Sequence, residues 1–415
     1  MNNFIKNIKL VCMAALLAST ALISCNKEVF DVGNIAVPGP NRAPGIAATI
    51  AASPNYSFYT ALINRSGFAA TLNDTSKSFT IFATDNDGMK LFVNAASGGA
   101  VPLNAPDANF LGFIGSVLPA ASAAGIVQYA TVGGRFPIAS IGSAFPNFPL
   151  PSQIILSPTQ PFVRLNIFPV RGTPFSYVNN LPLKSVDLIA GNGVIHTAAS
   201  IAVPPTRLLS DTIANVANLT YFRAAVARAD SGNTSATSFT NLLANGGTNM
   251  TVLTPNDAAF RTLVFGLVYQ ATLTATGNPD TALVRANSAV AAGPAFLGSN
   301  TLSTALVRGI IAYHFLASST PTGFQPNIRV FSVNVPITPI LVRTLVNSGV
   351  ASHPGVRTVA TFSGPFVTSF TFTGVGPLLT PTTLPFTGGA ANVVGADRLA
   401  VNGIFHIIDR VLLPQ

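Results

Sequence analysis

Apolar positions along this chain follow two rhythms, and each rhythm occurs twice. Between Thr49 and Leu72, Ile50, Tyr56, Tyr59, Leu62 and Ile63 fall close to the spacing of a helix with one buried face. Thr212 has the chemistry of an N-cap, with Ile213, Val216 and Leu219 behind it at three-residue steps. Phe79-Thr80-Ile81-Phe82 and Met250-Thr251-Val252-Leu253 are short β runs. They lead into Asp85-Asn86-Asp87 and Pro255-Asn256-Asp257, turn and cap chemistry that ends a strand and starts a helix. Further on, Phe162–Ile167 and Phe366–Phe372 alternate as strands. Each half reads as helical early and β-rich late, which is an α+β pattern.

The two halves are copies. Thr49-Ile50-Ala51, Asn55, Phe58-Tyr59 and Ala61 recur as Thr212-Ile213-Ala214, Asn218, Tyr221-Phe222 and Ala224, at an offset of 163. Thr80-Ile81-Phe82 recurs as Thr251-Val252-Leu253, at 171, and Asn192-Gly193-Val194-Ile195-His196 as Asn402-Gly403-Ile404-Phe405-His406, at 210. Order is kept and the offset only grows, so the second copy has gained about 47 residues. The tracts 266–300 and 358–396 are the natural places for them. The expected organisation is a unit over 45–205 and another over 206–415, each large enough for its own core.

Residues 1–24 read as a leader: Lys6 and Lys9, then a short apolar core from Leu10 to Ile23. Leu22-Ile23-Ser24-Cys25 resembles the lipobox of bacterial lipoproteins. That resemblance implies cleavage before Cys25 and a lipid on its sulfur. Asn26-Lys27-Glu28 and the acidic Asp31 resemble in part the surface-export signal of Bacteroidetes lipoproteins. Residues 25–44, with Val37-Pro38-Gly39-Pro40, read as an extended lipidated tether. The expected localisation is the cell envelope, as a surface-exposed outer-membrane lipoprotein. Cys12 would leave with the leader, so no disulfide is expected.

Composition narrows the chemistry. Of 415 residues only 8% are charged, mean hydropathy is +0.49, and Glu28 is the single glutamate among 13 acidic residues. With four histidines, little acid–base or metal chemistry can be assembled. No cofactor, metal site or catalytic residue is therefore expected. Losing Lys6 and Lys9 leaves 20 basic residues against 13 acidic ones, spread thinly. No basic cluster with interleaved aromatics marks a nucleic-acid surface. The uncharged stretch 109–134 is interrupted by Gly112, Gly115, Pro119 and Gly125, and burial as core helices fits it better than a membrane span.

At three places the chain resembles the fasciclin family. Thr251-Val252-Leu253-Thr254-Pro255-Asn256-Asp257-Ala258-Ala259-Phe260 is similar to its first box, a strand, a turn and a helix carrying a buried Phe. Ile311-Ala312-Tyr313-His314 resembles its central Tyr-His element. Val401 to Pro414, with Asn402, Gly403, His406 and Asp409, resembles its closing box. The first half is a degenerate version: Thr84 stands at the place of Pro255, Tyr129-Ala130 at that of Tyr313-His314, and Ala199 at that of Asp409, while Asn192, Gly193 and His196 are kept. The resemblance implies two tandem domains, each a β-sandwich or wedge with helices packed early. It also implies that Tyr313 and His314 form an adhesion element, although the run around them is apolar.

The residues have their own reading beside the resemblance. Asn402-Gly403 is a tight-turn signal, since both residues tolerate positive φ. His406 and Asp409, three apart on a strand, face opposite sides and form no local acid–base pair. His196 and His406 read as hydrogen-bonded structural histidines. The function expected is a lipid-anchored adhesion or binding module toward extracellular protein or polysaccharide. An accessory subunit of an outer-membrane uptake complex is the alternative, and a hydrolase of envelope polymers is disfavoured by the shortage of acids.

Overall fold

The computed structural model describes residues 43–143, 149–298, 302–320, 323–325, 327–375 and 389–413. The leader, Cys25, most of the tether and Pro414 lie outside them.

The first-half strands are β1 (Phe79–Thr84), β2 (Thr131–Gly133), β3 (Leu150–Ile155), β4 (Arg164–Ile167), β5 (Pro169–Val170), β6 (Tyr177–Val178), β7 (Leu181–Ala190) and β8 (Gly193–Ala198). They form one sheet in the order β4-β3-β2-β1-β8-β7-β6-β5. The second half contributes β9 (Met250–Pro255), β10 (Phe315–Thr320), β11 (Gly323–Gln325), β12 (Ile340–Thr344), β13 (Val356–Ser363), β14 (Phe366–Gly374), β15 (Ala391–Ala400) and β16 (Gly403–Ile408). Their order is β11-β10-β12-β13-β14-β15-β16-β9, with an added pairing of β9 to β10. The chain is therefore α+β with two tandem sheets.

In each sheet one parallel pair joins the first strand of the half to its last. Phe79–Thr84 run beside Gly193–Ala198, and Met250–Pro255 beside Gly403–Ile408, in the same register. All six residues of β1, β8, β9 and β16 are buried, as expected for parallel strands covered on both faces. Helices cover one face. In the first half Ile50, Phe58, Tyr59 and Leu62 pack on Ile81, Ala83 and Ile195. On the other face Phe82, Tyr129, Leu165 and Ile167 make a second layer. The second half repeats both layers around Phe222, Phe260 and Phe405, and around Leu316, Phe372 and Ile408.

The helical reading of 49–72 resolves into three short helices, Ile46–Ala51, Ser57–Ser66 and Ala69–Asn73, with Pro54 in the break. Thr212 is not an N-cap. Its helix, Leu209–Ala214, begins three residues earlier, and Thr212 instead donates its hydroxyl to the Leu208 carbonyl, 2.8 Å away. Phe162 is 78% exposed and precedes β4, so the alternating strand starts later than its pattern suggested. The tract 266–300 carries much of helix Asp257–Thr276 and all of helix Pro279–Ala291. Asp107–Val117 and Ala120–Tyr129 meet at a 102° bend, and Phe110, Ile114, Leu118 and Ile126 are buried in the first-half core. No single described helix is long and apolar enough to cross a membrane.

Candidate functional site

The two closing-box asparagines do the same work 210 residues apart. Asn192 Oδ1 accepts from the Ile46 amide (2.9 Å), and its Nδ2 donates to the carbonyls of Leu72 (2.9 Å) and Asp74 (3.1 Å). Asn402 accepts from Leu209 N–H (2.7 Å) and donates to Leu243 (2.9 Å) and Asn245 (3.0 Å). One buried amide thus satisfies an orphan donor at the start of one helix and orphan acceptors at the end of another. This long-range cap also explains why Thr212 is not needed as a local one.

The expected Asn-Gly turn is displaced. The hairpin between β15 and β16 pairs Ala400 with Gly403, so its two loop residues are Val401 and Asn402. Neither Asn402 nor Gly403 has positive φ. Glycine is required for another reason: a Cβ on Gly403 would lie 2.4 Å from the Met250 carbonyl oxygen, and one on Gly193 2.2 Å from that of Phe79. The parallel neighbour leaves no room for a side chain.

The strand-to-helix box is likewise structural. Thr251 Oγ1 donates to Ile328 O (2.7 Å) and accepts from Val330 N–H (2.8 Å). Pro255 ends β9, and Asn256 Oδ1 caps the Ala259 amide (2.8 Å). Asp257 reaches back to the Tyr221 amide (2.9 Å) and the Thr220 hydroxyl (2.7 Å). Phe260 stacks on Tyr221 at 6.1 Å. In the first half Asp85 caps Gly88, and Asn86 accepts from Phe58 N–H.

His196 and His406 are fully buried and bonded at both ring nitrogens. Nε2 of His406 lies 2.9 Å from Val330 O, and that of His196 2.9 Å from Phe136 O. Each Nδ1 accepts from the amide of an aspartate, Asp397 (3.1 Å) or Asp187 (3.3 Å), which assigns the Nε2–H tautomer to both rings. Burial holds both imidazoles below the ordinary histidine range and outweighs the nearby carboxylates. Asp409 lies beyond the strand and accepts from Asn392 N–H (2.7 Å) and Nδ2 (2.8 Å), away from His406.

Tyr313 and His314 have no exposed surface. Tyr313 donates its hydroxyl to Gly355 O and accepts from Val375 N–H (3.1 Å). His314 Nδ1 donates to Ile310 O (2.7 Å), and Nε2 accepts from Leu412 N–H (3.0 Å). Burial pushes the His314 ring down to about 4. Direct adhesion through these two side chains would need a surface they lack.

No family model and no curated protein matches the chain. One solved structure it resembles is a FAS1 domain pair from the insect cell adhesion molecule fasciclin I. Identity is 13% and the TM-score 0.30, over 86% of this chain and 95% of that one.

Two further positions of the histidine frame carry no motif signal in the sequence, Asp187 and Asp397. Both have positive φ, 62° and 55°, and both sit at register shifts of the strand before the histidine. What links them is the offset itself, which is the same 210 as for His196 and His406. Asp397 also accepts from the Ser332 amide (2.8 Å) and, across the halves, from Asn180 Nδ2 (3.3 Å). Next to it a cleft of ≈ 270 Å³ is lined by Asn180, Ser332, Phe366, Thr368 and Ser369. Phe366 is 60% exposed there.

Proposed function

We propose that this chain is a lipid-anchored cell-envelope protein with two fasciclin-like domains, over 45–205 and 206–415, that binds extracellular protein or polysaccharide. The carrying observation is that His196, His314 and His406 are each hydrogen-bonded at both ring nitrogens by the fold itself. A general base needs a free nitrogen within reach of substrate, so that commitment supports recognition by surface complementarity over catalysis. Two linked surfaces, in many copies on one membrane, would bind with avidity. Cys25 would supply the anchor, and the outer leaflet of the outer membrane the location.

A Cys25→Ser chain tests the anchor, and persistence of that variant in the membrane fraction refutes it. Protease shaving of intact cells tests display: removal supports the surface, and survival until lysis places the protein inside. Crosslinking capture from intact cells tests binding itself.

A second reading, an accessory subunit with a dedicated protein partner, draws on the helices Asp257–Thr276 and Pro279–Ala291, which leave Leu283 and Val284 exposed by 45% and 65%. One stoichiometric co-purifying protein would favour it.

A further inference from the structure

The first half carries a polar cleft of ≈ 300 Å³, several of whose lining positions are non-polar at the equivalent places of the second half. It is lined by Tyr56, Asp85, Asp87, Lys184, Ser185 and Thr197 with two asparagines, Asn55 and Asn86. Thr197 is 3% exposed, and its hydroxyl joins Tyr56 Oη (2.6 Å) to Ser185 Oγ (2.7 Å). At the rim Lys184 Nζ meets Asp85 Oδ2 at 2.7 Å, while Asp87 is exposed.

The duplication supplies an internal control. At the repeat offsets, Tyr56 corresponds to Leu219, Asp87 to Ala258, Lys184 to Val394, Ser185 to Gly395 and Thr197 to Ile407. The same backbone frame is built in the second half with apolar or small residues at all five places. The fold therefore does not need these polar groups, and each of them costs desolvation where it is buried.

Resting on the binding-module reading, we infer that this cleft is a site for a neutral saccharide unit, held through its hydroxyl groups. Hydroxyls both donate and accept, as sugar hydroxyls do, so a Tyr-Thr-Ser chain can re-pair with a sugar in either sense. A carboxylate such as Asp87 accepts from two neighbouring sugar hydroxyls, and a Lys184 ammonium donates to sugar oxygens. Asp85 and Lys184 offset each other, which leaves Asp87 as the net charge of the cleft. An acidic saccharide is repelled there despite the basic balance of the whole chain. The volume stands at the lower end of the roughly 300–1,000 Å³ typical of small-ligand clefts, enough for a single sugar unit in a longer chain.

The test is affinity electrophoresis of the full chain in non-ionic detergent, through gels holding dextran, galactomannan or xylan, and through gels holding polygalacturonate. At least one neutral polymer should retard the wild type. The variant Asp87→Ala/Lys184→Val carries the second half's own residues and should melt as the wild type does. It should lose about tenfold or more in affinity, the scale of one or two lost charge-assisted hydrogen bonds. If that variant fails to fold, Asp87→Asn alone decides, with a drop of the same kind. Undiminished retardation of a folded variant overturns the proposal. So does retardation by polygalacturonate alone. A wild type that none of the neutral polymers retards, yet that captures protein on intact cells, overturns the saccharide site while leaving the binding-module reading intact.

Discussion

The Asp397 amide donates to Nδ1 of His406 across 3.1 Å, from a backbone standing at φ 55°. Asp187 does the same for His196 at φ 62°. A left-handed residue at a strand irregularity aims its amide inward at the ring. Meanwhile its carboxylate turns to a neighbouring loop, Ser332 in one half and Ile138 in the other. Asp397→Ala removes the acceptor for the Ser332 amide and puts a Cβ residue without local compensation at positive φ. The expected loss is about 2–4 kcal/mol, from an unpaired buried donor plus backbone strain of about 1–2 kcal/mol. Asp397→Asn keeps an acceptor and tolerates that conformation, so it should lose less than half as much. Urea unfolding of both variants checks the ranking, and equal losses would show that the carboxyl oxygen is not what matters.

Stability should fall with acid in a defined window. His196, His314 and His406 are all held below the ordinary histidine value by burial, His314 at about 4. Between about 4 and the unfolded value near 6.5, the unfolded chain binds a proton that native His314 refuses, so stability drops as pH falls through that range. For His314 alone the full drop is on the order of 3 kcal/mol, and the other two act in the same direction. Denaturant midpoints measured from pH 8 to pH 4 should decline below about 6.5. A midpoint that stays level down to pH 5 would contradict the neutral assignment of these rings.

Asn402 is the residue whose loss should be felt at most places at once. Asn402→Ala leaves the Leu209 amide and the Leu243 and Asn245 carbonyls without their partner. At about 1–3 kcal/mol for each buried unpaired group, partly relieved by water, a loss of about 3–5 kcal/mol is expected. Asn402→Asp retains the acceptor but sets an anion against two carbonyls, so it should be no better. Asn192 is the independent check, since the same pair of substitutions there should give the same ranking by thermal melting.

Much of this frame was legible because the chain states it twice. The first and last strands of each half, the cap at Asn256 and the histidines of the last strands all lie where the repeat offsets place them. What could not be read is long-range. Thr212 looks like a cap, yet the Leu209 amide is served by a side chain almost two hundred residues away. Asn402-Gly403 looks like a positive-φ turn, yet glycine is there because a neighbouring carbonyl fills the space of a Cβ. Local propensity carries no record of a neighbour brought in by the fold. The polar cleft was hidden for the same reason, since its residues come from four separate segments and only the sheet unites them.

The contact between the halves yields the last prediction. Phe168 of the first half lies 5.7 Å from Phe331 of the second, in a buried cluster with Ile404. The Arg329 guanidinium sits 4.5 Å over the Phe168 ring and donates to Val401 O at 3.0 Å. Burial pushes Arg329 down to about 10, and the ring face and the carbonyl each offset part of its desolvation. Tyr177 adds a hydrogen bond to Pro365 O at 3.0 Å. Removing the Phe331 ring should cost about 3–5 kcal/mol and also expose the arginine's apolar cover. Because that loss falls on the contact between two cores, Phe331→Ala should split one calorimetric transition into two. Phe405→Ala, inside the second core and away from that contact, should lower the stability of its own half instead. A Phe331→Ala chain that still melts in a single transition would mean the halves are coupled elsewhere.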